Sequence, residues 1–400
     1  MNDKLRHQLW VIKDFIYVKL YNCCKAIHFF RLLHCPRTNH IQSNKIIFNN
    51  FNGKAYGDNP KYIANEILRQ KLDWDLVWLT NNDNAKLPEG IRAVEYGTWE
   101  EMWERATAKV WVDNVRHGKR PPKKEGQICL QTWHGGLNFK YVEAAAKKLD
   151  PAYIAEAKRD GANCDGILSG CALRTKDYKE NFWLSPKTEF LEFGLPRNDL
   201  LFQKAYVQKK SAELREKIHL ADGKKIILYM PTFRDDKSTE CYALDYHEIL
   251  DAFEQRFCGE FVMVVRLHPN VPRNTGVIPF CDRIIDATDF PDAQELYMVS
   301  DYLITDYSSA AFDFSLLKKP VFLCMLDFPQ YKELRGLNEI FYNCPFPHTY
   351  SCEELIEQVV SFDEVLYWRD LEKFKETWQP FDDGHAAECT VDWIKRKMEE

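Results

Sequence analysis

Short apolar runs alternate with stretches of helical spacing along this chain, and the alternation restarts halfway. In the first half, KIIFNNF (45–51), DLVWLTN (75–81), GIRAVEYG (90–97), VWVDN (110–114), ICLQ (128–131) and CDGILSG (164–170) read as strands. KYIANEILRQKL (61–72), EEMWERATAKV (100–110) and residues 141–160 carry helical spacing between them, and TEFLEFGLPRNDLLF (188–202) closes the half. A strand without a polar face must be covered on both sides, and helices crossing between parallel strands do this. The charged, helix-prone QKKSAELREKIHLADGKK (208–225) then bridges to a second series. KIILYMPTF (225–233), EFVMVVRLHP (260–269), RIIDAT (283–288), YLITDYSS (302–309) and PVFLCML (320–326) read as strands, with helices over 246–257, 291–299 and 310–318. The pattern predicts two open, parallel α/β domains, 39–204 and 205–375, facing each other across a cleft. Further helices are expected over 352–361 and 365–400. Residues 376–400 are expected to pack back on the first domain, with Trp368, Trp378 and Trp393 as anchors across the junction.

Bulk properties agree with two cores. The chain has 400 residues, 45% hydrophobic and 14% aromatic, which exceeds one compact core and excludes a disordered chain. A net charge of −6 argues against nucleic-acid binding, which needs a basic surface. Thirteen cysteines, an odd number without CxxC spacing, read as reduced and mostly buried rather than as disulfides or a zinc site. No stretch has the roughly 20 apolar residues that span a bilayer, and no signal-peptide pattern opens the chain.

Residues 1–38 are different in kind. Leu5, Leu9, Ile12, Ile16, Leu20, Cys23, Ile27 and Phe30 form a helical stripe, with Lys4, Arg6, Lys13, Lys19, Lys25 and Arg31 dispersed around it. A basic amphipathic helix fits an anionic membrane surface. The same stripe also fits packing on the body of the protein or on a partner subunit.

Ligands of open α/β sheets sit beyond the carboxyl ends of the strands, so the strand-end loops are the candidates. They are FNGKAYGDNP (51–60), QTWHGG (131–136), FGLPRND (193–199), PTFRDD (231–236), RLHPN (266–270) and TDYSSAAFDF (305–314). QTWHGG places His134 beside Gly135 and Gly136, where backbone can approach a ligand closely; a polar residue at an ordinary turn is the plain alternative. RLHPN puts His268 just past an apolar strand. Ser308 and Ser309 precede a helix, where they serve either as caps or as phosphate donors. Arg234 suits a bidentate phosphate contact or a surface pair with its neighbouring aspartates. Asp235 and Asp236 have no local His or further acid to complete a metal site, so no metal or cofactor is expected. Neither GxxxxGK nor GxGxxG occurs, which removes the main support for triphosphate hydrolysis and dinucleotide dehydrogenation.

With these loops assembled, the chain resembles the CDP-glycerol glycerophosphotransferase family of bacterial teichoic-acid primases and polymerases, which have a GT-B fold. The resemblance covers about 45–385 and rests on FNGKAYGDNPKYI, QTWHGG, LSGCALRTKDYKENFW, FGLPRNDLLF, PTFRDD, VVRLHPN, DAQELYMVSDYLITDYSSAAFDFSLLKKPVFL and YKELRGL. It implies catalytic roles for His134 and His268. It implies a CDP-linked donor at the second domain, near Arg197, Asn198, Pro231, Thr232, Arg234, Asp306, Ser308 and Ser309. The acceptor would face Asn52, Asn59, Trp133, Gly135 and Gly136. The expected reaction moves glycerol phosphate from CDP-glycerol to a lipid-linked glycan or polyol-phosphate acceptor, at the cytoplasmic face of the membrane. CDP-ribitol, a nucleotide-sugar glycosyltransferase of surface or capsule polysaccharide, and a non-catalytic export scaffold are the rivals; a homo-oligomer is left open. In one departure, many members continue TWHG with Thr-Pro-Leu-Lys, where this chain has Gly136, Leu137, Asn138, Phe139 and Lys140. It falls on the acceptor side.

Overall fold

The computed structural model describes residues 40–400 except 82–85, 117–119, 218–222, 269–270, 272–275 and 291. The amphipathic helix expected over residues 1–38 lies outside the described residues. Among the described residues, two wholly parallel sheets form the two halves. The first is built from β1 (Gln42–Asn49), β2 (Asp75–Thr80), β3 (Ile91–Glu95), β4 (Ala108–Asp113), β5 (Ile128–Gln131), β6 (Gly166–Leu168) and β7 (Glu189–Leu191). Its order is β3-β2-β1-β4-β5-β6-β7. The second contains β8 (Lys225–Met230), β9 (Phe261–Val265), β10 (Ile284–Asp286), β11 (Tyr302–Thr305), β12 (Val321–Cys324) and β13 (His348–Thr349), in the order β10-β9-β8-β11-β12-β13. In each sheet the chain begins near the middle and reverses direction of growth, between β1 and β4 or between β8 and β11. Strand-end loops diverge at such a point and leave a crevice.

The helices follow from caps and buried stripes. Helix α1 (Asp58–Arg69) has Pro60 in its first turn and buries Tyr62, Ile63, Ala64 and Ile67. Helix α2 (Trp99–Thr107) is capped by Thr98, which accepts from the Glu101 amide. It stops at Thr107, earlier than its spacing suggests, because Ala108–Asp113 pairs as β4. The helix expected over 141–160 is broken. A 3₁₀ turn at Glu143–Ala145 is followed by α3 (Pro151–Ala162), whose start is set by Pro151 and capped by Asp150. Helix α4 (Ala172–Asn181) follows β6, α5 (Lys204–Lys217) joins the halves, and α6 (Tyr246–Phe257), α7 (Ala293–Val299) and α8 (Ala310–Ser315) wrap the second sheet. Helices α9 (Phe328–Arg335) and α10 (Glu339–Asn343), and strand β13, have no counterpart in the sequence reading. Helix α11 (Cys352–Val360) corresponds to 352–361.

The run 365–400 divides. Helix α12 (Glu364–Trp378) ends at Gln379 with φ of 49°, and α13 (Ala386–Glu399) starts afresh, its first amides bonded to the Asp199 carboxylate at 3.0 and 2.7 Å. The break lets the two helices serve different cores. Trp378 packs on Phe312 of the second half at 5.6 Å between rings. Val391, Trp393 and Ile394 are buried in the core of the first half, and the Trp393 indole donates to Glu189 at 2.9 Å.

A second exchange runs the other way. Leu137 and Phe139 follow β5 of the first half yet are buried in the core of the second. The Phe139 ring lies 4.8 Å from Phe312 and 5.7 Å from Phe341. Removing so well packed a Phe typically costs about 3–5 kcal/mol. Lys61 Nζ and the Tyr62 hydroxyl of α1 donate to Asp292 at 2.6 and 2.7 Å, closing another part of the seam. Among the described residues no helix is long and apolar enough to cross a membrane.

Candidate functional site

The loop after β5 bends sharply. Trp133 has φ of +50°, a left-handed conformation that a bulky residue adopts only when its surroundings impose it. Those surroundings can be named. The Trp133 amide donates to Gln131 Oε1 at 2.8 Å, and Asn59 Nδ2 donates to the Thr132 and Trp133 carbonyls at 3.3 and 3.1 Å. Asn59 Oδ1 accepts from the Arg197 amide at 3.2 Å. The Arg197 guanidinium donates to the His134 carbonyl at 2.7 Å, to Asp58 at 2.8 Å and to Asp313 at 2.8 Å. Asp58 belongs to the first half and Asp313 to the second, so Arg197 ties both to the histidine loop.

His134 is held in one orientation. Its Nδ1 lies 2.8 Å from the Asn114 carbonyl. A carbonyl only accepts, so Nδ1 carries the proton and Nε2 presents its lone pair. The ring stacks on Trp133 at 4.6 Å and meets Phe51 at 5.2 Å. Burial pushes its pKa below the ordinary histidine value, which keeps it neutral at pH 7. Beside it, a methyl group at Gly135 would lie 2.8 Å from Asn138 Oδ1 and 3.8 Å from Ser309 Oγ. The Asn138 contact is the one that requires glycine, since 3.8 Å from Ser309 is ordinary van der Waals distance. At Gly136, whose carbonyl accepts from Arg174 Nε, an added methyl would come within 3.2 Å of Leu195.

On the second half Asp306 organises the loops. It accepts from the Thr232 amide at 2.8 Å, the Thr232 hydroxyl at 2.5 Å and the Tyr307 amide at 2.6 Å, and it pairs with Arg234 at 2.9 Å. Arg234 also pairs with Asp327 at 2.5 Å and lies beside the stacked Tyr307 and Tyr331 rings, 5.2 and 5.0 Å from their centroids. Its charge is answered by Asp306 and Asp327, not by the adjacent Asp235, which pairs with Arg335. Pro231 is buried beside Thr232. Ser308 caps α8 by accepting from the Ala310 amide at 3.2 Å, whereas the Ser309 side chain makes no cap bond. At six residues, α8 has little dipole to offer a phosphate.

His268 stacks on Phe233 at 5.5 Å and is exposed on its outer side. Partial enclosure, then Lys54, Lys140 and Arg266, hold its pKa at about 4. Lys140 also acts on His134, so the two histidines share one electrostatic neighbourhood.

Among the remaining candidates, Asn198 divides its amide between Asp313 at 3.4 Å and Asp382 at 3.1 Å. Asn52 sits at φ of 58°, with a buried side-chain oxygen that has no partner among the described residues. Arg197, Asn198 and Asn59 therefore lie in one interdomain knot, while Thr232, Arg234 and Asp306 form a separate cluster within the second half. Asp58, Asn114, Arg174, Asp313, Asp327 and Asp382 complete the arrangement and were not singled out from sequence. Asp58 and Asp313 lie inside quoted loops, and Asn114 is the polar end of a strand, so a signal existed for these three. Nothing local marks Asp382.

The sequence profile of the CDP-glycerol:poly(glycerophosphate) glycerophosphotransferase family matches residues 28–396. A teichoic acid poly(glycerol phosphate) polymerase of Bacillus spizizenii is 31% identical over 360 residues, covering 87% of this chain and 91% of that one. A protein of the same name from Staphylococcus epidermidis is 29% identical over 376 residues, covering 91% of this chain; the chain spans 52% of its length. The solved structure of the wall teichoic acid polymerase TagF matches with a TM-score of 0.80 at 28% identity, covering 96% of this chain and 98% of that chain. A UDP co-structure of S. aureus MnaA, 15% identical with a TM-score of 0.54 over 89% of this chain and 97% of that chain, shares the fold alone. The two facing parallel-sheet domains are of the GT-B type, and the chain belongs to the CDP-glycerol:poly(glycerophosphate) glycerophosphotransferase family.

Proposed function

We propose that the chain transfers glycerol phosphate from CDP-glycerol to a hydroxyl of a teichoic-acid-type acceptor, releasing CMP. The observation that carries this reading is the seating of His134. Its Nδ1 is committed to the Asn114 carbonyl, which leaves Nε2 to take a proton, in a loop whose Gly135 faces Ser309 of the other domain. The family supports the donor, as do relatives named poly(glycerol phosphate) polymerases and a TagF variant solved after a CDPG soak.

In this mechanism the acceptor hydroxyl attacks the β-phosphorus in line. His134 Nε2 takes its proton, a bond forms from phosphorus to the acceptor oxygen, and the bond to the oxygen bridging the two phosphates breaks. CMP leaves with that oxygen and its electron pair, and a phosphodiester remains. A neutral imidazole is suited to this task near pH 7. His268 and its cationic neighbours, with the Ser308–Ser309 loop, stabilise charge as CMP departs. Arg197 and Arg234 act by fixing loops, because their guanidinium groups are already paired with carboxylates, and Asn198 does so through its amide nitrogen. The apolar stripe and dispersed basic residues of the sequence over 1–38 support attachment to anionic lipid at the cytoplasmic face, where a lipid-linked acceptor would be met.

The test offers the full-length chain CDP-glycerol or CDP-ribitol with a lipid-linked glycerol-phosphate primer, followed by mass spectrometry of the product. Stepwise addition of glycerol phosphate with one CMP per step is expected. Turnover of CDP-ribitol alone would move the reading to that donor; a relative named teichoic acid poly(ribitol-phosphate) polymerase, from B. spizizenii, is 26% identical over 376 residues. No CMP from either donor would favour a non-catalytic scaffold.

A further inference from the structure

Lys140 lies where the histidine loop of the first domain crosses into the second, and the mechanism above counts it only among the cations around His268, with no contact of its own. The crossing segment is extended. Phe139 is buried in the second core, its carbonyl accepts from the Asn338 amide at 2.8 Å, and Lys140 forms an antiparallel bridge with Leu337. Side chains alternate along such a segment, so Lys140 points away from the core that receives Phe139. That direction is the cleft: its charge acts on both His268 and His134, and its own neighbours are Arg335, Asp306, Asp235 and Arg234.

The neighbouring charges are already matched. Asp306 is held by Arg234 and Thr232, and Asp235 by Arg335. Other enclosed lysines have carboxylate partners, Lys45 with Glu104 at 2.7 Å and Lys61 with Asp292 at 2.6 Å. Lys140 Nζ has no hydrogen bond or ion pair among the described residues. It is a surplus cation at the meeting point of the two histidine loops. Enclosure and the nearby Arg335 lower its pKa, which an arriving anion would reverse.

We propose that Lys140 grips the diphosphate of the nucleotide donor at its β-phosphate. The inference rests on the donor reading above and adds a cation supplied by the first domain to a donor seated in the second. Lys140 neutralises charge on the transferred phosphoryl oxygens as the bridging bond opens. Because His134 stands six positions earlier in the same loop, diphosphate binding and placement of the base are coupled.

Titration calorimetry with CDP and CMP on the full chain, Lys140→Met and Lys140→Arg tests this, together with CMP release from CDP-glycerol. The parent protein should bind CDP about tenfold or more tighter than CMP. Lys140→Met should abolish that preference, leave CMP affinity unchanged and lower kcat/KM about 10²-fold, with partial recovery in Lys140→Arg. A preference for CDP that survives in folded Lys140→Met overturns the inference, as does an equal loss of CDP and CMP binding, or a parent protein without the preference. A parent that prefers CDP but never turns over CDP-glycerol would sink the proposed reaction and leave the diphosphate contact standing.

Discussion

The two histidines reach the cleft by opposite means. His134 is fixed by geometry: a hydrogen bond to Asn114 sets its tautomer, Trp133 and Phe51 enclose its ring, and the backbone before it is bent into a left-handed turn. His268 is set by its field: it stacks on one ring, stays exposed outside, and lies among Lys54, Lys140 and Arg266. An oriented lone pair suits proton abstraction, where direction matters. A neutral ring among cations suits stabilisation of phosphate charge, where potential matters more than aim.

The largest expected effect tests the first side of that contrast. His134→Ala should lower kcat about 10²–10⁴-fold with the fold intact, measured as CMP release. A fall below tenfold would remove its role as base. Next comes the knot that aims it. Arg197→Met leaves Asp58 and Asp313 buried without their cation, and should cost about 3–5 kcal/mol in urea unfolding; a loss under about 1 kcal/mol would show that the loop is aimed by other contacts.

On the other side, His268→Ala should cost about 10²–10³-fold in kcat/KM, by analogy with loss of one charge-stabilising donor. The same variant should keep the acid limb of the pH profile. That limb belongs to His134, whose depressed pKa places it below pH ~6.5. A limb displaced by His268→Ala would exchange the two roles.

The smallest effect concerns the support beneath the His134 side. Burial raises Asp382 to about 7, against about 3.9 in an unfolded chain. Between those values the folded chain holds a proton that the unfolded chain has released, so stability falls as pH rises from about 4 to about 7. Asp382→Asn retains an acceptor for the Leu195 amide. It should be neutral at pH 4 and stabilising by ~1–2 kcal/mol at pH 8, read from denaturant midpoints. Equal shifts at both pH values would disprove the linkage.

The sheets were legible because fully buried parallel strands write continuous apolar runs, and the candidate loops because they follow those runs. Helix boundaries were less so. Asp150 and Pro151 mark the start of α3 plainly, yet the periodicity of 141–160 hides them; the left-handed Gln379 has no side-chain signature. At the site, the histidines and serines stand out by type and position. Arg234 read as a phosphate ligand or a partner of its neighbouring aspartates, whereas its partners Asp306 and Asp327 lie 72 and 93 positions away. The Arg197 knot likewise joins Asp58 and Asp313 across 139 and 116 positions. Such pairings are made by the fold and leave no local pattern.

Phe139 has a consequence for how this family can diversify. The segment from Gly136 to Lys140 departs from the pattern of many members, yet its Phe139 must also fit among Phe312, Phe341 and Phe346, with rings 4.8, 5.7 and 6.5 Å away. A recombination point between the two halves would separate the plug from its socket. A working chimera should therefore need those aromatic residues transplanted together with the loop.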